Sequence, residues 1–484
     1  MIRPPILLVA TAACAVMLGG VLPGTLQAQS PASATAPAPG MPVPPPSPAQ
    51  PAAPAATPGA APVPQPPAVP APPVRVFNPA ELSKRTPLAE APNWSRLADL
   101  SKTMTAEEFD LAWSTFFSDG RNEPPPWKRD AAGITVPTGT SDGSTVRVEF
   151  RTAGDPLNQP KRTWRTASEL PPLQGKPVLT GLRIALDPGH IGGSFAKVEE
   201  RFFTMNPKDP TEFIAEGDHV LTVAQLLKPR LEALGAIVSL VRDKQEPVTS
   251  QRPADMRSTA IDILHQNGHT NPPESYVGLP AFQKMNTIQW ESEKLFYRVS
   301  EIRARAQKVN TELKPDLVIC MHLNAAPWGE AGEQVFSLEN HLHLLVNGCY
   351  APEELRMQDT RFEMLHRLFS RMHEEELPIA TAVAKSMSQS TGLPPFVYVT
   401  PNAKLVSETG YVYARNLLAN RLYECPVIYL EPFVMNNEDV YHRLLQGPYT
   451  GRTLTNGRLR SSIYEDYAQG IIDGLVNYYR SKRK

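Results

Sequence analysis

From residue 182 onward, short and wholly apolar runs alternate with longer segments whose apolar residues recur every three or four positions. Arg183-Ile184-Ala185-Leu186-Asp187 reads as a buried strand, and Pro188-Gly189-His190 turns it sharply, leaving an imidazole at its carboxyl end. Open α/β sheets place their chemistry at that end. Val220, Val223, Ala224, Leu227, Leu231 and Leu234 then keep helical spacing, Gly235 stops the helix, and 236–241 reads as a second strand. A helix over 293–313 leads through Lys314-Pro315 into a buried strand at 316–321, and later 379–390 predicts a helix and 426–430 a further buried strand. This is the alternation of an α/β domain, assigned to 178–484.

The pattern differs upstream. Residues 105–117 have helical spacing, 145–150 alternates like a strand, and 120–143 is rich in turn residues, including Pro124-Pro125-Pro126. These predict a small α+β accessory module over 76–177 whose role is not readable. Before it, 29–74 has no charged residue and consists almost wholly of Pro, Ala, Ser, Gly and Gln. Such a composition cannot bury enough apolar surface to offset chain entropy, so 29–75 is expected to be a disordered Pro/Ala-rich linker biased toward polyproline II. Residues 1–28 read as a signal peptide: Arg3 supplies a positive start, an apolar run extends from Ile6 to Leu22, and Ala28 suits the position before the cut. An uncleaved anchor is the alternative, since the run falls slightly short of the ~20 apolar residues that span a bilayer. Membrane contact is expected only in that case.

Composition narrows the function. The 484 residues carry 48 Lys+Arg against 49 Asp+Glu, a net charge of -1, whereas a nucleic-acid binder leaves a basic excess; no nucleic-acid partner is expected. Proline is the outlier, and 21 of its 52 residues fall within the first 75 positions, so the remaining chain is ordinary in composition and ample for a large core. Cleavage of the signal with Cys14 leaves Cys320, Cys349 and Cys425, an odd number that permits at most one intramolecular bridge.

Four polar residues sit at or near element ends of the predicted sheet. His190 comes after the first strand, Glu216 immediately precedes a helix, His322 comes after the strand at 316–321, and Glu431 closes the strand at 426–430. Two imidazoles and a carboxylate suit a catalytic zinc site with a position left open for water, and the second carboxylate suits a general base. A cysteine hydrolase built on Cys320 and His322 is set aside, because it leaves His190, Glu216 and Glu431 without a role.

Leu186-Asp187-Pro188-Gly189-His190, Glu216 before a helix that leads to Arg242-Asp243, Met321-His322-Leu323-Asn324-Ala325-Ala326, and Val427-Ile428-Tyr429-Leu430-Glu431 with Asn436-Asn437-Glu438-Asp439 occur in that order. The set resembles the zinc-dependent N-acetylmuramoyl-L-alanine amidases of the Amidase_3 type, over about residues 180–480. The resemblance implies a mostly parallel α/β sheet flanked by helices and a zinc ion held by His190, Glu216 and His322. It further implies Glu431 as the catalytic carboxylate and hydrolysis of the amide between N-acetylmuramic acid and L-alanine. Peptidoglycan is then the substrate, the periplasm or extracellular cell-wall space the location, and a regulatory protein partner conceivable. Alternatives are a zinc peptidase or amidohydrolase acting on another amide, and a non-catalytic wall-binding or regulatory protein of the same fold. Asn324 is either a support for the site or a turn residue.

Insertions set the chain apart from the family. Twenty-five residues separate His190 from Glu216, and Glu199, Glu200 and Glu212 compete with Glu216 for the ligand role. Further inserts span about 253–300 and 348–376, where lids, substrate walls or plain elaboration are the choices. Among the other histidines, His265 and His269 are separated by a turn-forming Asn267-Gly268, and His341 and His343 share one face of a strand. His219 reads as a helix-surface residue, and His366, His373 and His442 read as solvated faces.

Overall fold

In the computed structural model a seven-stranded sheet runs in the order Lys404–Leu405, Val412–Ala414, Leu342–Val346, Val427–Pro432, Leu317–Met321, Arg183–Pro188, Ile237–Leu240. The structure describes residues 79–206, 208–329 and 334–483; the expected signal and linker lie outside them. Four neighbouring strand pairs are parallel and two antiparallel, so the sheet is mixed and mostly parallel, as expected. Alternate residues feed alternate layers. Ile184, Leu186, Ile319, Met321, Ile428 and Leu430 pack on one face against Val220 and Leu227 of the helix Glu216–Ala233, Val383 of His373–Thr391 and Ile471 of Ile463–Lys482. Ala185, Val318, Cys320, Val427 and Tyr429 pack on the other face with Val309 and Tyr423. Both faces are dry, which is why these strands read as continuous apolar runs. Each fully buried Leu or Ile contributes about 1.5–3 kcal/mol.

Close approach of the two long helices on the first face depends on glycine. A Cβ at Gly474 would stand 2.4 Å from the Cα of Val383, closer than real contacts allow.

The upstream region forms a three-stranded antiparallel sheet, Lys128–Asp130, Gly133–Pro137 and Thr145–Glu149, beside the helix Ala106–Ala112. That helix starts where sequence places it, because Thr105 and Glu108 form a reciprocal capping box. Its core is completed from far along the chain: Trp94, Phe109 and Phe150 share a cluster with Phe362, Leu365 and Phe369 of the helix Gln358–Phe369. The insert at 348–376 is therefore helical, and its helix packs on the upstream region. This corrects the reading of His373 as solvated: it is 8% exposed, against Phe116 and Phe117 at ring distances of 5.3 and 5.6 Å.

The insert at 253–300 is also ordered. The helices Arg257–Gln266 and Ile288–Leu295 bring Met256, Leu264, Leu295 and Phe296 against Ile191, the residue after His190. Among the described residues no helix is long and apolar enough to cross a membrane.

Candidate metal centre

Three side chains from three elements meet at the carboxyl edge of the central strands. His190 lies just beyond the strand Arg183–Pro188, Glu216 opens its helix, and His322 lies directly beyond the strand Leu317–Met321. Their ligating atoms all lie within 4.8 Å of one another. His190 Nε2 is 3.3 Å from Glu216 Oε2, and His322 Nδ1 is 2.9 Å from Glu216 Oε1. The two imidazoles stand nearly perpendicular, at 81°, with centroids 5.1 Å apart.

The Pro188-Gly189-His190 turn explains how two histidines come this close. A Cβ at Gly189 would sit 2.1 Å from the His322 ring, so only glycine fits. His190 takes a φ of 54°, a region that non-glycine residues visit rarely. Arg305 holds it there: this guanidinium, 4% exposed, donates to Asp187 Oδ1 at 2.9 Å, to the Pro188 carbonyl at 2.6 Å and to the His190 carbonyl at 2.8 Å. Glu301 accepts from Arg305 Nε at 2.7 Å, and the Tyr423 hydroxyl donates to Asp187. Burial opposes the charge on Arg305, but the Glu301 and Asp187 carboxylates more than offset it and raise its pKa. Removing one partner from such a buried network costs ~3–5 kcal/mol. His322 is fixed separately: its ring stacks on Tyr429 at 4.3 Å, and its carbonyl accepts from the Tyr467 hydroxyl at 2.9 Å.

The protonation states suit metal binding. Burial pushes the His190 imidazolium well below its usual range, against the pull of Glu216, so the ring is neutral at pH 7. Burial also works against the Glu216 charge, but the two histidine rings beside it outweigh that and lower the carboxyl below its ordinary range. Glu216 Oε2 is nonetheless buried without a hydrogen-bond partner. A cation among the three groups satisfies that oxygen, and a donor set of two nitrogens and one oxygen is the one catalytic zinc sites use. The residues therefore fit a zinc ion.

Glu431 arrives beside this cluster by register. Leu430 pairs with Met321 in parallel, His322 N–H donates to the Leu430 carbonyl at 3.0 Å, and Glu431 comes next, 7% exposed. Its charge reaches Tyr467, whose hydroxyl burial and Glu431 together keep protonated.

The competing carboxylates have other partners. Glu200 pairs with Lys284, and Glu212 accepts from the Tyr441 hydroxyl at 3.4 Å. Glu199 lies nearer: it is 2% exposed, and its Oε1 is 3.4 Å from His190 Nδ1. Asn324 Oδ1 accepts from Ala325 N–H at 2.7 Å, a local turn contact. Gly268, with φ of 90°, ends the helix between His265 and His269. His219 meets the Tyr464 hydroxyl at 2.5 Å and lies outside the cluster. Cys320, Cys349 and Cys425 are all buried free thiols. Burial and Asp187 raise the Cys320 thiol far above its ordinary range, which removes the thiolate a cysteine hydrolase needs.

Sequence reading missed Arg305 as the lock of the His190 turn and Tyr467 as the anchor of His322. The first had a faint signal, an arginine four residues after Glu301 on one helix; the second had none.

No protein-family model and no curated protein matches this sequence. Among solved structures, the chain is similar to the N-acetylmuramyl-L-alanine amidase Ami1 from Mycobacterium smegmatis, at 14% identity, 63% of this chain, 99% of that one and a TM-score of 0.33. It is similar also to the CwlD amidase from Clostridioides difficile in complex with the GerS lipoprotein, at 13% identity, 62% and 100% coverage and a TM-score of 0.34. A third is the catalytic domain of CwlV, an N-acetylmuramoyl-L-alanine amidase from Bacillus (Paenibacillus) polymyxa var. colistinus, at 13% identity, 62% and 98% coverage and a TM-score of 0.33. Identities and scores this low leave the functional reading to the chain's own residues.

Proposed function

We propose that this protein is a zinc-dependent amide hydrolase of the cell wall that cleaves the bond between N-acetylmuramic acid and L-alanine in peptidoglycan. The observation that carries the metal-dependent hydrolase reading is the convergence of His190, Glu216 and His322 within 4.8 Å, with Glu431 next in register to His322. The motifs Asp187-Pro188-Gly189-His190, Met321-His322-Leu323-Asn324-Ala325 and Leu430-Glu431, in the order of the Amidase_3 type, support the choice of amide.

His190, Glu216 and His322 would hold the ion. When bound, zinc supplies Lewis-acid polarisation of the amide carbonyl and of a water. Glu431 takes a proton from the attacking water as its oxygen adds to the carbonyl carbon, then returns that proton to the L-alanine nitrogen as the C–N bond breaks. The products are a carboxylic acid on the muramic lactyl group and a free amine on the stem peptide. Arg305 and Gly189 hold His190 in place throughout. The expected location is the cell-wall space, after export.

The test is digestion of purified peptidoglycan with and without chelation, read by mass spectrometry. Stem peptides beginning with L-alanine, lost on chelation and restored by zinc, are expected. Zinc binding without such peptides would move the activity to another amide.

A further inference from the structure

Glu199 lies in the long stretch between His190 and Glu216, and it is one of the most buried carboxylates in the chain at 2% exposure. Both its oxygens accept from Ile191 N–H, at 2.9 Å, and Oε2 also accepts from Gly192 N–H at 3.1 Å. Its own backbone is fixed by a hydrogen bond from Glu199 N–H to the Phe195 carbonyl at 2.9 Å. The carboxylate thus grips the two residues after His190 and at the same time faces the ring of His190 itself.

The ring is held between two carboxylates. Oε1 of Glu199 is 3.4 Å from Nδ1, and Oε2 of Glu216 is 3.3 Å from Nε2 on the opposite side. A neutral imidazole carries one proton, on one nitrogen only. Both Glu199 oxygens already accept backbone N–H groups, so the side chain faces Nδ1 as an acceptor and draws that proton to Nδ1. The lone pair is then left on Nε2, the atom that faces Glu216 and His322. Without Glu199 the proton is equally well placed on Nε2, against Glu216, and that tautomer cannot ligate a metal from the triad side.

We infer that Glu199 is a positioning residue for the metal centre: its carboxylate fixes the Nδ1–H tautomer and the orientation of His190, so that Nε2 presents its lone pair to the ion. The inference rests on the metal-centre reading above and assigns a residue that neither the donor set nor the general base includes. Carboxylate partners of ligating histidines raise the basicity of the ligand, and their loss typically weakens metal affinity 10–100-fold.

The test uses the full chain and zinc itself. Zinc affinity is measured by competition with a chromophoric chelator for the wild type, Glu199→Gln and Glu216→Gln, beside the melting temperature of each metal-free protein. Gln keeps the size of Glu199 and one acceptor for the Ile191 and Gly192 amides but replaces its second oxygen with an N–H donor, so the side chain no longer presents two acceptors to order the Nδ1 proton. The expected result is a 10–100-fold weaker zinc Kd for Glu199→Gln with the metal-free melting temperature little changed. A Kd within about twofold of wild type, while Glu216→Gln loses zinc, would overturn the inference. A wild type that binds no zinc would instead bring down the metal-centre reading on which it rests. Should Glu199→Gln fold poorly, histidine ring-nitrogen NMR on the metal-free wild type decides the matter, with the His190 signals assigned from their disappearance in His190→Gln. A protonated Nδ1 and bare Nε2 support the inference, and the reverse tautomer refutes it.

Discussion

Two groups of histidines in this molecule look alike in sequence and differ in surroundings. His190 and His322 converge on Glu216, whose oxygens lie 3.3 and 2.9 Å from their ring nitrogens. His341 and His343 are also neighbours, with centroids 6.2 Å apart, but both rings pack on Phe396, at 4.5 and 5.0 Å. His343 meets the Tyr398 hydroxyl at 3.0 Å, and His341 reaches only the exposed Glu339 at 3.5 Å. His373, between Phe116 and Phe117, belongs with this second kind. Proximity of imidazoles is common to both groups. What separates them is a buried, ionised carboxylate between the rings, which supplies the negative charge a divalent cation needs after losing its water. The aromatic-walled His343 and His373 stay neutral with no carboxylate pulling the other way: burial, reinforced by neighbouring positive groups, pushes His343 well below its ordinary range and His373 to about 4.

The contrast is broken most severely at its first member. His322→Ala is expected to abolish stoichiometric zinc binding, measured by metal analysis after dialysis, because two donors do not hold a catalytic ion. Glu431→Gln is expected to lower hydrolysis of peptidoglycan by about 10²–10⁴-fold while zinc stays bound, since the general base is lost and the donor set is intact; unaltered turnover would remove Glu431 from its assigned role. Gly189→Ala drives a methyl into the His322 ring, and an overpacked site of this kind costs about 1–3 kcal/mol. A lower melting temperature and weaker zinc binding together are the expected outcome, and a wild-type profile in both would show that the turn has room to spare.

A milder test concerns pH. The folded His373 pKa of about 4 lies below the ordinary 6.5, so the unfolded chain takes up the proton first. Stability from this group is therefore complete above pH 6.5 and declines as pH falls from 6.5 toward 4, by at most roughly 1.4 kcal/mol per pH unit. In urea unfolding between those values, His373→Leu should show a shallower decline than the wild type; parallel curves would contradict the buried neutral assignment. Smallest of all is His343→Phe. It lies on the strand facing Glu431 in antiparallel register, yet it is no member of the donor set, so zinc stoichiometry and affinity should match wild type. A drop in zinc affinity there would make the two groups of histidines more alike than their surroundings imply.

Much of the candidate site was legible because its residues are the last members of strongly patterned runs. Ile184 to Leu186, Leu317 to Met321 and Val427 to Leu430 are buried on both faces of a mostly parallel sheet, which makes each an unbroken apolar run. The residues just past the end of such a run must lie at the carboxyl edge, and so His190, His322 and Glu431 could be placed there from order alone. Glu216 was legible for a related reason, since it opens a helix of clear apolar spacing. The strand Leu342–Val346 was half-read: its alternation marked it as a strand, but nothing local revealed that it pairs antiparallel with the Glu431 strand.

The sequence by itself determined which residues end the elements, which layers are apolar and which chemistry their polar ends can offer, because hydrophobic periodicity is a local property. Only the tertiary structure decided among the four neighbouring glutamates, giving Glu216 to the triad, Glu199 to the far side of His190, Glu200 to Lys284 and Glu212 to Tyr441. It alone placed Arg305 under the His190 turn, more than a hundred positions away in the chain, and buried His373 beneath the upstream region. Those outcomes depend on which surfaces meet across the sheet, and a side chain's charge, partner and solvent are set by that meeting rather than by its neighbours in sequence.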